Sequence, residues 1–277
     1  MADSRIITLP TSYYCQYGTD VTLAYPADGM DGWKTDPLPL NLDKTAVVVM
    51  HAGYVGEPDN MPEQFAACEY VSRSYQIAER VFPKLLGAVR EAGVRVYHIP
   101  FGTGYYEDLP GRKRVTALDV KPDPALCNYA EQDPVVEALL RHKVDFGMSS
   151  GAGMAEPMVA RMREGYQKYL DFMPAAKPVG DEAIVENAAE LAAVAKQDGV
   201  NHLIYIGFAL DWCLLLSPGG MHEMQNRGFL CSTVRDAITA VECKESVREL
   251  SHTETALWRV GTRFGFVYDS ETLISNL

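Results

Sequence analysis

The sequence has few features of a disulfide-rich, zinc-binding or membrane-spanning protein. Its 6 cysteines in 277 residues are scattered and form no CxxC pair, which argues against a zinc ribbon or a disulfide framework. Reduced thiols in the cytoplasm are the simplest interpretation. No apolar run approaches the ~18 residues of a membrane-spanning helix, and the first residues lack the pattern of a signal peptide. We therefore expect a cytoplasmic protein without a membrane partner.

Positive charge is also scarce. The 25 Lys and Arg residues stand against 37 Asp and Glu, a net charge of −12 at neutral pH. This balance disfavours binding to phosphate backbones, so we expect no nucleic acid partner. The hydrophobic fraction of 47% is ordinary for a globular protein with a full-sized core. We expect a small molecule as the substrate.

Apolar strands alternate with helical segments along much of the chain. The apolar runs predict strands at 45–50, 94–99, 202–206, 229–234 and 266–268. Helices are predicted at 62–92, with a kink or division at Pro83, at 191–197 behind the capping pair Asn187 and Glu190, and at 253–263. This alternation predicts an α/β protein, a three-layer α/β/α sandwich with a mainly parallel sheet.

Two regions depart from this alternation. Residues 1–40 are rich in Tyr, Pro, Gly and Asp, and we predict an irregular N-terminal arm, with room for short strands, before a main domain at 41–277. The region at about 102–177 is predicted to be an insertion, with short helices at 134–141 and 156–169 and a loop at 146–154 that lacks phosphate-loop spacing. Arms and insertions often bury surface between subunits, so we expect a homo-oligomer, a dimer or tetramer.

The segment from His202 to Leu216 carries the strongest chemical signal. A β-branched strand runs into a tight Gly207-Phe208-Ala209 turn, and Cys213 follows at the expected start of a helix. Ligand sites of α/β sheets form at the carboxyl ends of strands, and helix N-terminal amides can lower a thiol pKa. We predict that Cys213 is a nucleophile.

Three motifs in this order resemble those of the isochorismatase-like cysteine hydrolases. Thr45-Ala-Val-Val-Val-Met50 matches the opening strand of that family, and Gly207-Phe-Ala-Leu-Asp-Trp-Cys213 matches its Gly-x-Ala-x-x-x-Cys turn. The stretch from Gly228 to Asp236 matches the next strand and its terminal Asp. The resemblance covers about 41–101 and 180–275.

The resemblance implies a fold and a chemistry. Members of this family hydrolyse amides, or a vinyl ether in isochorismatase itself, with a Cys nucleophile, an Asp base, a Lys and two oxyanion-binding amides beside a cis peptide bond. For this chain it implies that Cys213 forms a thioester acyl-enzyme and that Phe208-Ala209 is the cis bond. The amides of Ala209 and Cys213 would then bind the oxyanion.

Two expected catalytic residues are changed. His51 stands where the family has its Asp base, and a Cys–His pair is chemically competent because a near-neutral imidazole suits proton transfer. Lys177 is the candidate for the lysine, although Glu182 and Glu186 fall near the expected position. A Lys–carboxylate pair could orient His51, but a solvated helix start is the favoured interpretation of these residues.

Several neighbouring residues are further candidates. Trp212 could form a wall of the pocket or pack beneath the sheet, and Tyr105 with Tyr106 could close the pocket from the insertion. Asp211 is expected to cap a helix, and Arg235-Asp236 to form a buried ion pair at a strand end.

No metal or cofactor is expected, because the possible ligands lack the spacing of a metal site: Asp59, His98 and His222. Two functions remain open. The first is a cysteine hydrolase that acts on a small amide or related C–N bond. The alternative is a catalytically impaired relative that binds a small ligand or serves as an oligomeric scaffold.

Overall fold

Strands and helices alternate over the residues that the computed structural model describes, which are 4–121, 133–145 and 156–277. The strands are β1 Ile6–Cys15, β2 Gly32–Asn41, β3 Thr45–Met50, β4 Gly53–Tyr54, β5 Arg95–Ile99, β6 Asp171–Phe172, β7 Ala183–Ile184, β8 His202–Phe208, β9 Leu230–Thr239 and β10 Val267–Tyr268. The helices are α1 Pro62–Ala67, α2 Val71–Glu91, α3 Pro110–Thr116, α4 Pro134–Asp145, α5 Glu156–Tyr169, α6 Ala188–Asp198, α7 Met221–Asn226, α8 Ser251–Arg259 and α9 Ser270–Asn276. Two short π-helices span Leu210–Leu214 and Val260–Phe264.

The central sheet is mainly parallel, as predicted. In the described residues it has the order β2-β1-β10-β9-β8-β3-β5-β7. The six strands from β10 to β7 run parallel, whereas β1 and β2 form an antiparallel hairpin at one edge. β3 lies directly beside β8, so the opening strand and the strand that leads to Cys213 end at the same edge of the sheet.

Both faces of the sheet are buried, which explains the continuous apolar runs in the sequence. Side chains alternate between the two faces of a strand. On β3, Val47 and Val49 pack in the core formed with α2 and α9. Val48 and Met50 pack in the opposite core, formed with α6, α7 and α8. These two cores confirm the three-layer α/β/α sandwich. No helix in the described part of the chain is long and apolar enough to cross a membrane.

The predicted helix at 62–92 is divided, but not at Pro83. The interruption follows Cys68, whose extended backbone ends α1, and Pro83 lies inside α2. Proline removes one hydrogen bond within a helix. Phe82 and Leu85 are fully buried on either side of it, and this packing against the sheet maintains the helix.

The segment predicted as an irregular arm is largely a regular hairpin. β1 and β2 pair from Ile6 with Asn41 to Cys15 with Gly32, and Ser12 pairs with Val267 of β10. The prolines in these strands obscured the pattern in the sequence, but an edge strand tolerates proline because one row of its amides needs no partner.

The helices expected in the region of 102–177 are present as α4 and α5, and α4 extends to Asp145. The stretch 146–154, predicted as a loop, lies outside the described residues. Asn187 caps α6, as predicted, because its side chain accepts a hydrogen bond from the Glu190 amide at 3.0 Å.

The predicted strand at 229–234 is longer than expected. β9 continues to Thr239 through an irregularity in its pairing with β8, so Arg235 and Asp236 lie within the strand. They are not paired with each other. Asp236 accepts a hydrogen bond from the Ser270 amide at 2.9 Å at the start of α9. Arg235 lies over the ring of Trp33, which corrects the predicted ion pair.

Candidate active site

A close approach of β3 and β8 builds the candidate site. Gly207 pairs with Met50 and has a φ of 121°. A β-carbon at Gly207 would lie 1.9 Å from the Met50 carbonyl oxygen, so both the space and the dihedral angle require glycine. His51 follows Met50 with a φ of 53°, and its amide donates to the Ile99 carbonyl at 2.8 Å. His51 and the turn after Gly207 therefore share one edge of the sheet.

The turn after β8 has the cis peptide bond that the resemblance predicted, between Phe208 and Ala209. Cys213 lies in the π-helix Leu210–Leu214, and the Leu214 amide donates to the Ala209 carbonyl at 3.1 Å. The expected α-helix therefore does not begin at Cys213. The thiol lies inside a short, wide helical turn instead.

A cavity of about 270 Å³ opens at this edge and brings five of the predicted site residues together. Those five are His51, Phe208, Ala209, Trp212 and Cys213. The other described residues around it are Gly53, Val55, Gln64, Cys68, Tyr70, Val71, Ser74, Tyr75, Phe101, Tyr166, Met173 and Val241. The volume suits a ligand of small-molecule size.

His51 has the properties of an uncharged base. Burial lowers its pKa to about 4, so the imidazole is neutral at ordinary pH. Phe101 lies edge-on to its ring at a centroid distance of 5.9 Å. The buried Nδ1 atom has no hydrogen-bond partner among the described residues. A neutral imidazole with an unpaired nitrogen can accept a proton, but a pKa of about 4 makes His51 a weaker base than the near-neutral imidazole expected from the sequence. Among the described residues, no hydrogen bond joins His51 to Cys213, although both line the cavity.

Sequence reasoning missed the wall that α1 and the start of α2 contribute. Gln64 is 3% exposed, and its Nε2 atom donates to the Cys68 sulfur at 3.1 Å. Tyr70 is close enough to both Cys68 and Cys213 for their charges to raise its pKa further, although burial is the main cause. The amphipathic pattern predicted a helix here, but it could not show that one end of the helix borders the cavity.

The structure does not bring Lys177 or Tyr105 to this cavity. Lys177 Nζ lies 2.8 Å from Asp171 Oδ2, and both side chains are about half exposed. The hydroxyl of Tyr105 donates to the Phe101 carbonyl at 3.0 Å, and its ring packs on Phe172. Their catalytic or binding roles stay predictions from the sequence.

The two glutamates near Lys177 do not form a solvated helix start. Glu182 is largely buried and lies 2.7 Å from Arg90 Nε and 2.9 Å from His98 Nε2. Burial opposes its ionisation, but hydrogen bonds from His98, Arg90 and a backbone amide outweigh this effect and lower its pKa to about 2. Arg112 lies 3.0 Å from Glu186. We call these five residues the ion-pair cluster; Glu182 directly precedes β7, and Glu186 lies two residues after it.

Asp211 and Trp212 occupy different environments. Asp211 does not cap the helix, because its Oδ1 atom accepts a hydrogen bond from the Val241 amide at 2.9 Å and ties the nucleophile turn to the end of β9. Burial raises the pKa of this carboxyl. Trp212 is 47% exposed and lies on the rim of the cavity. In the described part of the chain, no group of three or more His, Cys, Asp and Glu side chains could hold a metal ion.

Solved structures of isochorismatase-like proteins share this fold. The chain aligns with a cysteine hydrolase from Pseudomonas syringae pv. phaseolicola 1448A at a TM-score of 0.50 and 18% identity, over 86% of this chain and 94% of that one. An isochorismatase from Pseudomonas putida KT2440 aligns at a TM-score of 0.44 and 16% identity, over 85% of this chain and 93% of that one. No family model and no curated protein matches the sequence. The chain therefore has the isochorismatase-like fold. This structural likeness shows the fold and does not show an activity.

Proposed function

We propose that the protein is a cysteine hydrolase that acts on a small amide or a related C–N bond. The observation that supports this most is the shared cavity, since a thiol and a neutral imidazole line one small space at the ends of adjacent strands. Cys213 is the nucleophile and His51 is the base. Trp212 and Phe208 contact the substrate.

The reaction has two stages. His51 accepts the proton of Cys213, and the thiolate attacks the carbonyl carbon. The amides of Ala209 and Cys213 donate hydrogen bonds to the oxyanion, and each well-placed donor stabilises it by roughly 3–4 kcal/mol. The C–N bond breaks, the amine leaves with the proton from His51, and a thioester to Cys213 remains. Water then loses a proton to His51 and attacks the thioester carbon. The C–S bond breaks, His51 returns the proton to the sulfur of Cys213, and the acid leaves.

A panel of small carboxamides tests the proposal. Purified protein should hydrolyse at least one of them, and Cys213→Ala should lower kcat/KM by at least ~10³-fold because the nucleophile is lost. Cys243→Ala is the matched control, since that thiol is exposed and lies outside the cavity. Acid quenching should leave an acyl group on the peptide that contains Cys213, detected by mass spectrometry. Full activity in Cys213→Ala would exclude this mechanism.

Ligand binding without turnover is the second candidate. It is favoured by the absence of a carboxylate and a lysine from the described cavity wall, where the resemblance implies both. Iodoacetamide at pH 6 separates the two functions. An activated Cys213 is alkylated rapidly at this pH, whereas a thiol without a working base is alkylated slowly.

We also propose that the chain forms a dimer or tetramer. Size-exclusion chromatography tests this separately from the activity. A single species at the monomer mass of 30.6 kDa would contradict it.

A further inference from the structure

The described wall of the cavity carries no Asp, Glu, Lys or Arg side chain. Six aromatic rings line it instead, those of Tyr70, Tyr75, Phe101, Tyr166, Phe208 and Trp212. His51 adds no charge above pH 4, because burial holds its pKa at about that value. A charged ligand would lose its water of hydration here without gaining a counter-charge, which is strongly unfavourable. An uncharged ligand with an apolar body meets no such cost.

Besides His51 Nδ1, a second polar atom in the described wall is left without a partner. Gln64 is almost completely buried, and its Oε1 atom has no hydrogen-bond partner among the described residues. Its Nε2 atom is already used by the sulfur of Cys68. A buried amide oxygen that accepts no hydrogen bond is destabilising, so a ligand that supplies an N–H group there gains affinity.

We propose that Gln64 is a specificity-determining residue, which selects an uncharged small substrate by accepting a hydrogen bond from its N–H group. This inference deepens the proposed function. It depends on that function in one respect, since the selected ligand is a substrate only if the protein is a hydrolase. Its basis is the combination of an uncharged, aromatic-lined cavity and a buried acceptor on α1. Molecules that carry a carboxylate are excluded by the same wall.

Binding to Cys213→Ala protein, measured by isothermal titration calorimetry, tests this without turnover. Three probes of similar shape are compared: benzamide, 4-carbamoylbenzoate with an added carboxylate, and methyl benzoate without an N–H group. Benzamide should bind about tenfold tighter than each of the other two, as expected for one hydrogen bond and for an unpaired charge.

A second change isolates Gln64. In Cys213→Ala protein, adding Gln64→Met should weaken benzamide binding about tenfold and leave methyl benzoate unchanged, so that the two bind alike. Gln197→Leu, on the exposed surface of α6, is the matched control and should change neither. If Gln64→Met fails to fold, the comparison of the three probes on Cys213→Ala protein still tests whether the cavity selects an uncharged ligand with an N–H group.

The outcomes distinguish the two proposals. Equal binding of benzamide and methyl benzoate, or no binding of benzamide at millimolar concentration, overturns the role of Gln64 whether or not amides are hydrolysed. Equal binding of benzamide and 4-carbamoylbenzoate overturns the exclusion of carboxylates. Selective binding of benzamide without Cys213-dependent hydrolysis of any amide supports the selection by Gln64 and overturns the hydrolase proposal.

Discussion

Two polar regions of the molecule differ in how their polar groups are paired. Beside β7, the ion-pair cluster pairs carboxylates with arginines, and Glu182 forms hydrogen bonds with both Arg90 and His98. At the ends of β3 and β8, the cavity has no charged wall residue among those described, and atoms of His51 and Gln64 lack partners.

The difference separates groups that are paired within the fold from groups that we propose are paired by a ligand. An unpaired atom is not sufficient by itself, because His98 Nδ1 also lacks a partner and lines no described part of the cavity. An unpaired atom beside an open space is the informative combination. Changes in the cluster should therefore affect stability, and changes in the cavity should affect activity.

The largest effect is expected from His51→Asn. Loss of the base should lower kcat/KM about 10²–10⁴-fold. Asparagine tolerates the φ of 53°, so the backbone adds no strain, and the free energy of unfolding should fall by no more than about 1 kcal/mol. Amide hydrolysis and urea unfolding measure the two quantities. Unchanged kcat/KM would show that His51 is not the base, and a large loss of stability would remove the contrast with the cluster.

Glu182→Gln should show the reverse behaviour. The substitution removes the negative charge that pairs with Arg90 in a largely buried environment. The free energy of unfolding should therefore fall by about 2–4 kcal/mol. Activity on the same amide should stay within about threefold. Glu91→Gln, an exposed change at the end of α2, is the control and should cost less than about 0.5 kcal/mol. Equal urea midpoints for both variants would contradict the stabilising role of the cluster.

Acidification should affect the buried histidines and Glu182 in different pH ranges. Burial lowers the pKa of His51 and of His202 to about 4, below the 6.5 of an exposed histidine. The unfolded chain then binds more protons, so stability falls as pH drops from 6.5 to 4, on the order of 1–3 kcal/mol for each histidine. Glu182, with its pKa near 2, contributes stability above pH 4.5 that is lost as pH falls from 4.5 to 2.

Urea unfolding at a series of pH values measures these losses. His51→Asn should reduce the loss between pH 6.5 and 4, and Glu182→Gln the loss below pH 4.5. A stability that stays constant between pH 6.5 and 4 would contradict the buried, neutral state of the two histidines.

The smallest effect is expected from Lys177→Ala. Its ion pair with Asp171 is exposed, so stability should change by less than about 0.5 kcal/mol and kcat/KM should not change. Thermal unfolding and the amide assay check both. A tenfold loss of activity would mean that Lys177 reaches the substrate in solution, as the sequence suggested.

The architecture could be predicted because its signals are local. The buried runs of β3 and β8 and the cap at Asn187 are each visible within a few residues of sequence. The cis bond at Phe208 could be predicted only through the resemblance. The hairpin of β1 and β2 was missed because its pairing joins residues 17 to 35 positions apart, from Cys15 with Gly32 to Ile6 with Asn41, at an edge where proline is tolerated.

The site was harder to predict because its walls come from distant segments. Cys213 and His51 follow strands that the sequence shows plainly, so both could be named. Gln64 lies on α1 and Tyr70 directly before α2. The sequence pattern of this segment shows a buried face but not which space that face borders. Glu182 has the same limitation, since only the fold shows that it meets Arg90 and His98.

The hairpin has a consequence for how copies of this chain can associate. Over the described residues, β2 is one margin of the sheet, and it contains Pro37 and Pro39, which have no amide hydrogen to offer. The opposite margin is β7, which is only two residues long. Neither edge strand presents a continuous row of unpaired backbone N–H groups. Edge-to-edge pairing of two sheets, or growth of a fibril on either edge, is therefore disfavoured. Assembly of this protein should therefore proceed through its helical faces.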